Sequence, residues 1–256
     1  MNILCVGNSF AVDASTYVHQ IAEFLGEDIN IHVLYIGGCP IDLHWKNFLS
    51  KDKAYEFYIN GERYPSIYCD IFEGLKYKKY DYITFQQRSG DSCDAKTFFP
   101  ELTKLMEGIR DYSKATYLLH KTWSYAKEFS HERYGSNPMD QDAMDRDIKD
   151  AYIQVSKKAN IPFIIPSGEA IRLAREVYGD NLCRDGYHMN ELGRTLLGIL
   201  WVIYLTGKKD IDLSNFHPRG YTFSDSVGPI DEKELNKLKD IALKAIENNK
   251  GYNLYD

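Results

Sequence analysis

The sequence predicts an α/β protein, a three-layer α/β/α sandwich built on a five-stranded parallel sheet. Two observations lead to this prediction: short apolar runs alternate with stretches of helical periodicity, and no internal repeat or linker interrupts the 256-residue chain. Such alternation is typical of βαβ units, in which a crossover helix joins parallel strands. A chain of this length fits one domain with insertions, so we expect residues 1–256 to form a single domain.

Five apolar runs have the length and composition of buried strands. Proline at the start of the last run is compatible with a strand, because the first position tolerates proline. Right-handed crossovers between these runs favour the flavodoxin-like strand order 2-1-3-4-5. The predicted strands cover residues 2–6, 31–36, 82–86, 116–120 and 162–165.

The segments between the strands have the spacing of apolar side chains that indicates helices. Phe98, Leu102 and Leu105, for example, recur on one face of such a helix. A polar amphipathic helix, 231–249, closes the chain after an irregular stretch. The other predicted helices cover residues 14–26, 41–49, 66–76, 97–112, 141–160, 167–178 and 191–206.

One segment, residues 54–64, departs from this pattern. Alternating apolar residues lead into Asn60-Gly61 and continue after it. Asn-Gly in such a context is a strong hairpin signal, because both residues tolerate a positive φ. We therefore predict a β-hairpin inserted between the second and third strands of the parallel sheet.

Composition and charge exclude several classes of partner. The net charge is −6 and the basic residues form no stripe, which argues against a nucleic-acid partner. The five cysteines and seven histidines show no metal-binding spacing, so we expect free thiols, no metal and no cofactor. The longest apolar run, 196–205, is too short to span a membrane. No signal peptide precedes the first strand, so we expect a cytoplasmic protein, or a periplasmic or secreted one if a signal peptide was removed.

A serine follows the first predicted strand. Gly7-Asn8-Ser9-Phe10 lies where the strand turns into a helix, and open parallel sheets bind ligands at the carboxyl ends of their strands. Ser9 is therefore placed to act as a nucleophile, and its own N–H is placed to stabilise an oxyanion. A loop serine or a helix N-cap is the alternative interpretation.

Asp185 and His188 follow the fifth predicted strand and precede a helix. The aspartate can accept the histidine Nδ1–H, which fixes the tautomer and stabilises the imidazolium. The alternative is that Asp185 only shapes the turn and His188 caps the helix. Because the predicted fold brings both motifs to the same sheet edge, a Ser9–His188 pair is favoured.

These motifs resemble conserved blocks of the SGNH (GDSL-like) hydrolases. Gly7-Asn8-Ser9-Phe10 is similar to the first block, with Asn8 where aspartate is more usual, and the segment from Asp185 to His188 is similar to the Asp-x-x-His block. The resemblance implies a catalytic triad of Ser9, His188 and Asp185. It also implies an oxyanion hole formed by the N–H groups of Ser9 and Gly38, with Gly37 as the alternative to Gly38.

The third block departs from that family. Its usual Gly-x-Asn-Asp is replaced here by a segment that begins Phe85-Gln86-Gln87-Arg88 and holds no asparagine. A glutamine amide offers the same donor on a longer arm, so the resemblance implies that Gln87, or Gln86, donates to the oxyanion. This variant is similar to the subfamily DUF4886, whose members are found alongside carbohydrate-processing enzymes.

Six more residues near the predicted strand ends are candidates for substrate binding, with burial or surface exposure as the alternative. Aromatic rings with a polar tip suit hydroxylated ligands, and the chain has 20 tyrosines. The candidates are His44, Trp45, Arg88, His120, Trp123 and Tyr125.

The expected function is that of a serine esterase which hydrolyses an O-acyl ester, above all an O-acetyl ester on a carbohydrate, through an acyl-enzyme. The expected partner is thus a small-molecule or glycan ester, and the sequence does not indicate an oligomeric state. A catalytically weak carbohydrate-binding protein on the same fold is the alternative, because the asparagine block is missing and fold alone does not fix function.

Overall fold

A seven-stranded sheet forms the centre of the molecule. The structure is a computed structural model, which describes residues 1–129, 140–220 and 230–256. For residues 65–67 it describes only the backbone. Five of the strands are parallel and lie in the predicted order. From one side to the other, they are β2 (Asn30–Tyr35), β1 (Asn2–Gly7), β5 (Tyr82–Phe85), β6 (Thr116–His120) and β7 (Ile164–Ile165). Residues 130–139, which belong to the loop after β6, and residues 221–229 lie outside the described part.

The predicted hairpin supplies the two remaining strands. β3 (Tyr55–Ile59) pairs antiparallel with β2 on one side and with β4 (Glu62–Cys69) on the other. Asn60 and Gly61 have φ values of 53° and 87°, as the tight turn between the strands requires. The sheet therefore has two more strands than expected, because the hairpin extends the sheet rather than standing apart from it.

The end of the hairpin corrects one predicted boundary. We expected a helix from residue 66, but β4 continues to Cys69, which pairs with Tyr55. Helix α4 (Ile71–Tyr77) begins only after Asp70, whose side chain accepts the N–H of Glu73 while the Glu73 side chain accepts the N–H of Asp70. This reciprocal cap fixes the start of the helix.

The chain after β1 also differs from the prediction of one helix over 14–26. It forms two short helices, α1 (Ser9–Ser15) and α2 (Val18–Phe24). The first begins at Ser9 because the Asn8 side chain accepts the Phe10 N–H and so caps the helix. Ser9 is therefore held at the junction of a strand and a helix.

The other helices cover the sheet in two groups and lie close to their predicted bounds, with one exception. The helix predicted over 97–112 begins only at Glu101, because Ala95–Phe98 forms a separate 3₁₀ helix and Pro100 disfavours helix at the residue before it. α3 (Ile41–Ser50) packs against α4 and α5 (Glu101–Arg110), whereas α8 (Glu191–Thr206) packs against α1, α2, α7 (Ser167–Tyr178) and α9 (Glu232–Glu247). The last long helix, α6 (Gln141–Ala159), follows β6. α8 is buried from Gly193 to Leu205, as its apolar sequence indicates. None of the helices described is long and apolar enough to cross a membrane.

Candidate active site

Ser9, His188 and Asp185 form one hydrogen-bonded chain at the carboxyl edge of the sheet. Ser9 Oγ lies 2.8 Å from His188 Nε2, and His188 Nδ1 lies 2.6 Å from Asp185 Oδ2. With the imidazole proton on Nδ1 facing the carboxylate, Nε2 is free to accept the serine proton. The structure thus brings together the two motifs that stand far apart in the sequence.

The loop around Asp185 holds its carboxylate in place. The second oxygen, Oδ1, accepts the backbone N–H groups of His188 at 2.8 Å and Tyr187 at 3.3 Å. Burial raises the pKa of Asp185, but the hydrogen bonds from the His188 side chain and from these N–H groups outweigh burial and hold the pKa below its usual value. Asp185 is therefore ionised at neutral pH and orients the imidazole.

Backbone N–H groups beside Ser9 are available to an anion. Within the described ranges, the N–H groups of Ser9, Gly37 and Gly38 donate to no protein acceptor. All three residues line one cavity of about 400 Å³. Gly38 has a φ of 59°, a conformation that favours glycine. These N–H groups have the character of an oxyanion hole, and Gly37 and Gly38 are equally placed as candidates.

The structure corrects the expectation for Gln86 and Gln87, because neither lines this cavity. The Gln87 amide nitrogen donates to Thr97, at 2.8 Å from its carbonyl oxygen, and the Gln87 amide oxygen accepts the N–H groups of Ile41 and Arg88. The Gln86 amide nitrogen donates to Asn8 Oδ1 at 2.7 Å. Both amides are thus committed to protein partners and are not directed at Ser9 Oγ.

Gln86 belongs to a buried chain of hydrogen bonds that positions the residue before Ser9. Its amide oxygen accepts from His120 Nδ1 at 2.6 Å, and burial lowers the pKa of His120 to about 3, so this imidazole is neutral. Asn8, which accepts from Gln86, donates its own Nδ2 to the Cys39 carbonyl at 3.1 Å. The ends of β6, β5 and β1 are in this way joined to the glycine loop after β2.

Asn8 is required as an amide here, although aspartate is more usual at this position in SGNH hydrolases. We expect Asn8→Asp to lower the melting temperature and to slow the ester hydrolysis proposed below by roughly ten- to a hundredfold, since a carboxylate cannot donate to Cys39 and leaves that buried carbonyl unpaired. Thermal unfolding and initial rates measure the two effects, with the exposed Asn215→Asp as the matched control. Equal melting temperatures and rates for both variants would show that the hydrogen bond from Asn8 to the Cys39 carbonyl is not needed.

Two of the six predicted substrate-binding residues, Arg88 and Tyr125, line the cavity. Arg88 Nε donates to Asp91 at 2.9 Å, which holds the guanidinium at the cavity wall. The Tyr125 hydroxyl lies 2.9 Å from Ser89 Oγ. Arg88 and Tyr125 therefore line the cavity with their polar groups already paired, to Asp91 and to Ser89.

The other four candidates, His44, Trp45, His120 and Trp123, do not line the cavity. His44 is buried against Tyr55, whereas Trp45 is partly exposed and stacks on Phe48. Trp123 stacks on Phe10 with ring centroids 4.2 Å apart. Trp123 therefore packs against the residue after Ser9, and His120 is linked to the site through Gln86.

Several cavity residues were not predicted from the sequence. Tyr187 lies between Asp185 and His188, and its ring centroid is 4.0 Å from that of His188. Tyr35 ends β2 beside the glycine loop, and Ser89 follows β5. The position of Tyr187 inside the Asp-x-x-His segment could have indicated it, whereas Tyr35 and Ser89 carry no local signal.

Asp13 was also not predicted, and it anchors the loop that carries His188. It lies fully buried on α1, one helical turn after Ser9. Its Oδ1 accepts from Arg194 Nη2 at 2.7 Å and from Arg184 Nη1 at 3.2 Å, and its Oδ2 accepts the Met189 N–H at 2.9 Å. One carboxylate therefore connects the serine helix to both ends of the histidine loop.

Comparison with known proteins places this architecture in a family. A DUF4886 family protein from Bacteroides uniformis is similar in structure, with a TM-score of 0.85 and 29% identity over 97% of this chain and 95% of that one. An acetylxylan esterase from Geobacillus stearothermophilus, Axe2, shares the fold at a TM-score of 0.52 and 14% identity, over 79% of this chain and 93% of that one. A candidate SGNH hydrolase from Slackia heliotrinireducens shares the fold at a TM-score of 0.54 and 17% identity, over 79% of this chain and 97% of that one.

No curated protein sequence matches the chain. The structures with lower identity share the α/β fold of SGNH and GDSL-like hydrolases. The model of the family described as "Domain of unknown function (DUF4886)" matches residues 2–226. With this match over most of its length, the chain belongs to the DUF4886 family.

Proposed function

We propose that the protein is a serine esterase in which Ser9 is the nucleophile, His188 the general base and Asp185 the residue that orients the imidazole. The observation that carries this proposal is the hydrogen-bonded chain from Ser9 Oγ through His188 to Asp185, which opens onto a cavity of about 400 Å³. Unpaired N–H groups line the same cavity, and a nucleophile, a base and an oxyanion site are the parts that acyl transfer needs.

The reaction proceeds through an acyl-enzyme. His188 Nε2 takes the Ser9 proton as Oγ bonds to the ester carbonyl carbon. The carbonyl oxygen becomes an anion that accepts from the N–H group of Ser9 and from that of Gly38 or Gly37. One such donor contributes about 3 kcal/mol in the transition state. The bond to the alcohol breaks as His188 protonates the leaving oxygen. Water then attacks the acyl group by the same route and releases the carboxylic acid.

The residues that line the cavity favour an O-acetyl ester on a carbohydrate as the class of substrate. Tyr35, Tyr125 and Tyr187 contribute aromatic faces with hydroxyl tips, a combination that binds sugar rings and their hydroxyl groups. The volume leaves room for a small acyl group with part of a sugar unit. The fold shared with an acetylxylan esterase is compatible with such a substrate.

A carbohydrate-binding protein is the second candidate, because the amides of Gln86 and Gln87, the expected third oxyanion donors, are bonded to Asn8 and Thr97 instead. An oxyanion site made of backbone N–H groups alone stabilises a transition state less than one with an added side-chain donor. The two candidates differ in a simple respect: a binding protein does not form a covalent bond through Ser9.

The test is covalent labelling together with hydrolysis. We expect wild-type protein to hydrolyse 4-nitrophenyl acetate and acetylated xylooligosaccharides, and a fluorophosphonate to stop this hydrolysis while adding one adduct to Ser9, located by peptide mass spectrometry. The result would favour the binding protein if a broad panel of esters stayed intact and no adduct formed on Ser9, while the oligosaccharide still bound.

A further inference from the structure

A second cavity, of about 610 Å³, has a buried lysine in its wall. Lys121 directly follows β6 and is only 7% exposed. Residues of α6 and α7 complete the wall, among them Asp145 and Arg172. This cavity shares no lining residue with the cavity at Ser9. A role for it is therefore independent of the proposed esterase chemistry.

Lys121 has no direct ion-pair partner among the residues that the structure describes, although the carboxylates of Glu169 and Asp145 attract it from further away. Its ammonium group makes neither a hydrogen bond nor an ion pair there. Burial lowers the pKa of Lys121 to about 8, so the group is still mostly protonated at pH 7. A buried ammonium with unpaired donors is unfavourable, and an apolar side chain of the same length would pack without that cost. An anion that enters the cavity would accept its free N–H bonds.

The charges around the cavity favour an anion with a single charge. Arg172 pairs with Glu169 at 3.0 Å and, outside the cavity wall, with Glu176 at 2.9 Å, so the charge of Arg172 is already neutralised. The remaining charged residues leave an excess of one positive charge; they are Lys121, Arg146, Lys149, Asp142 and Asp145. A carboxylate carries one negative charge at neutral pH, whereas a phosphate monoester carries roughly 1.5 to 2.

We propose that the cavity around Lys121 is a second binding site, for a small molecule that carries a carboxylate group. The carboxylate accepts hydrogen bonds from the Lys121 ammonium at the buried end of the cavity. Free short-chain acids and acidic sugars both present this group, and the size of the cavity admits either one.

Lys121→Met tests this site, since methionine keeps the length of the side chain without its charge. Melting temperatures are measured against rising sodium acetate, sodium glucuronate and sodium phosphate, with chloride holding the ionic strength constant. Lys104→Met removes a half-exposed charge on α5, away from this cavity, and is the matched control. Ser9→Ala is included because acetate could also bind at the other cavity.

We expect a saturable rise in melting temperature with at least one carboxylate for wild type, Lys104→Met and Ser9→Ala, because a ligand of the native state stabilises it. In Lys121→Met the half-saturating concentration should rise at least about tenfold, through loss of a charge-assisted hydrogen bond. Without ligand, this variant should melt at or above the wild-type temperature.

A response to acetate alone identifies a free short-chain acid as the ligand, and a response to glucuronate alone identifies an acidic sugar. Three results would overturn the proposal: no carboxylate response in wild type, an equal response in Lys121→Met, or a stronger response to phosphate than to either carboxylate. A response that is lost in Ser9→Ala but kept in Lys121→Met would place the carboxylate at Ser9 instead.

Discussion

Ser9→Ala should lower kcat for the hydrolysis of an acetyl ester by on the order of 10⁴-fold or more, because the members of such a triad act as a unit and the nucleophile has no substitute. KM should change little, since only the hydroxyl oxygen is removed and Cβ stays in the cavity wall. Steady-state rates on 4-nitrophenyl acetate and on an acetylated oligosaccharide measure both constants.

Ser89→Ala is the matched control for this substitution. Ser89 lines the same cavity, and its hydroxyl pairs with Tyr125 rather than with an imidazole. We expect its kcat to remain within about tenfold of wild type, the effect of one neutral hydrogen bond. If Ser9→Ala hydrolysed the esters as fast as Ser89→Ala, the nucleophile would lie elsewhere and the esterase mechanism built on Ser9 would be wrong.

Asp13→Ala should lower the free energy of unfolding by about 3–5 kcal/mol, because it leaves Arg194 and Arg184 without their shared carboxylate in a buried site. Asp13 is 1% exposed and its partner Arg194 is 2% exposed, so water cannot replace the lost contacts. Urea unfolding of wild type and variant, followed by circular dichroism, measures the difference.

The control for this prediction is Asp42→Ala, which breaks an exposed pair with Lys46, whose side chains are 44% and 68% exposed. Such a pair contributes about 0–1 kcal/mol. Similar losses for the two variants would show that the Asp13 cluster adds no more than a surface ion pair. Because Asp13 also holds the loop around His188, the rate of ester hydrolysis by folded Asp13→Ala should fall as well.

The sequence predicted those features that depend on neighbouring residues. Alternation of apolar runs identified the parallel strands and their order, and Asn60-Gly61 located the hairpin turn because φ is a local property. Ser9, Asp185 and His188 were recognisable because each lies in a short motif after a strand. In the structure, His188 is within hydrogen-bonding distance of both Ser9 and Asp185.

Features that depend on contacts between distant segments were not predictable. The role of Gln86 as a link between His120 and Asn8 requires knowledge of three strand ends at once. The partners of Asp13 lie more than 170 residues further along the chain. Burial decided the outcome for His44 and Trp123, since an aromatic side chain near a strand end is used in packing as readily as in binding.

The added hairpin moves β2 from the edge of the sheet to its interior. In an open sheet with the order 2-1-3-4-5, this strand would lie at the edge, with one row of its backbone groups facing solvent. Here β2 is hydrogen-bonded on both sides, to β1 and to β3. The new edge strand is β4, which carries the charged residues Glu62 and Arg63. Charged side chains on an edge strand discourage pairing with other chains. Gly37 and Gly38 thus follow a strand that is hydrogen-bonded on both sides, which restrains the positions of their N–H groups.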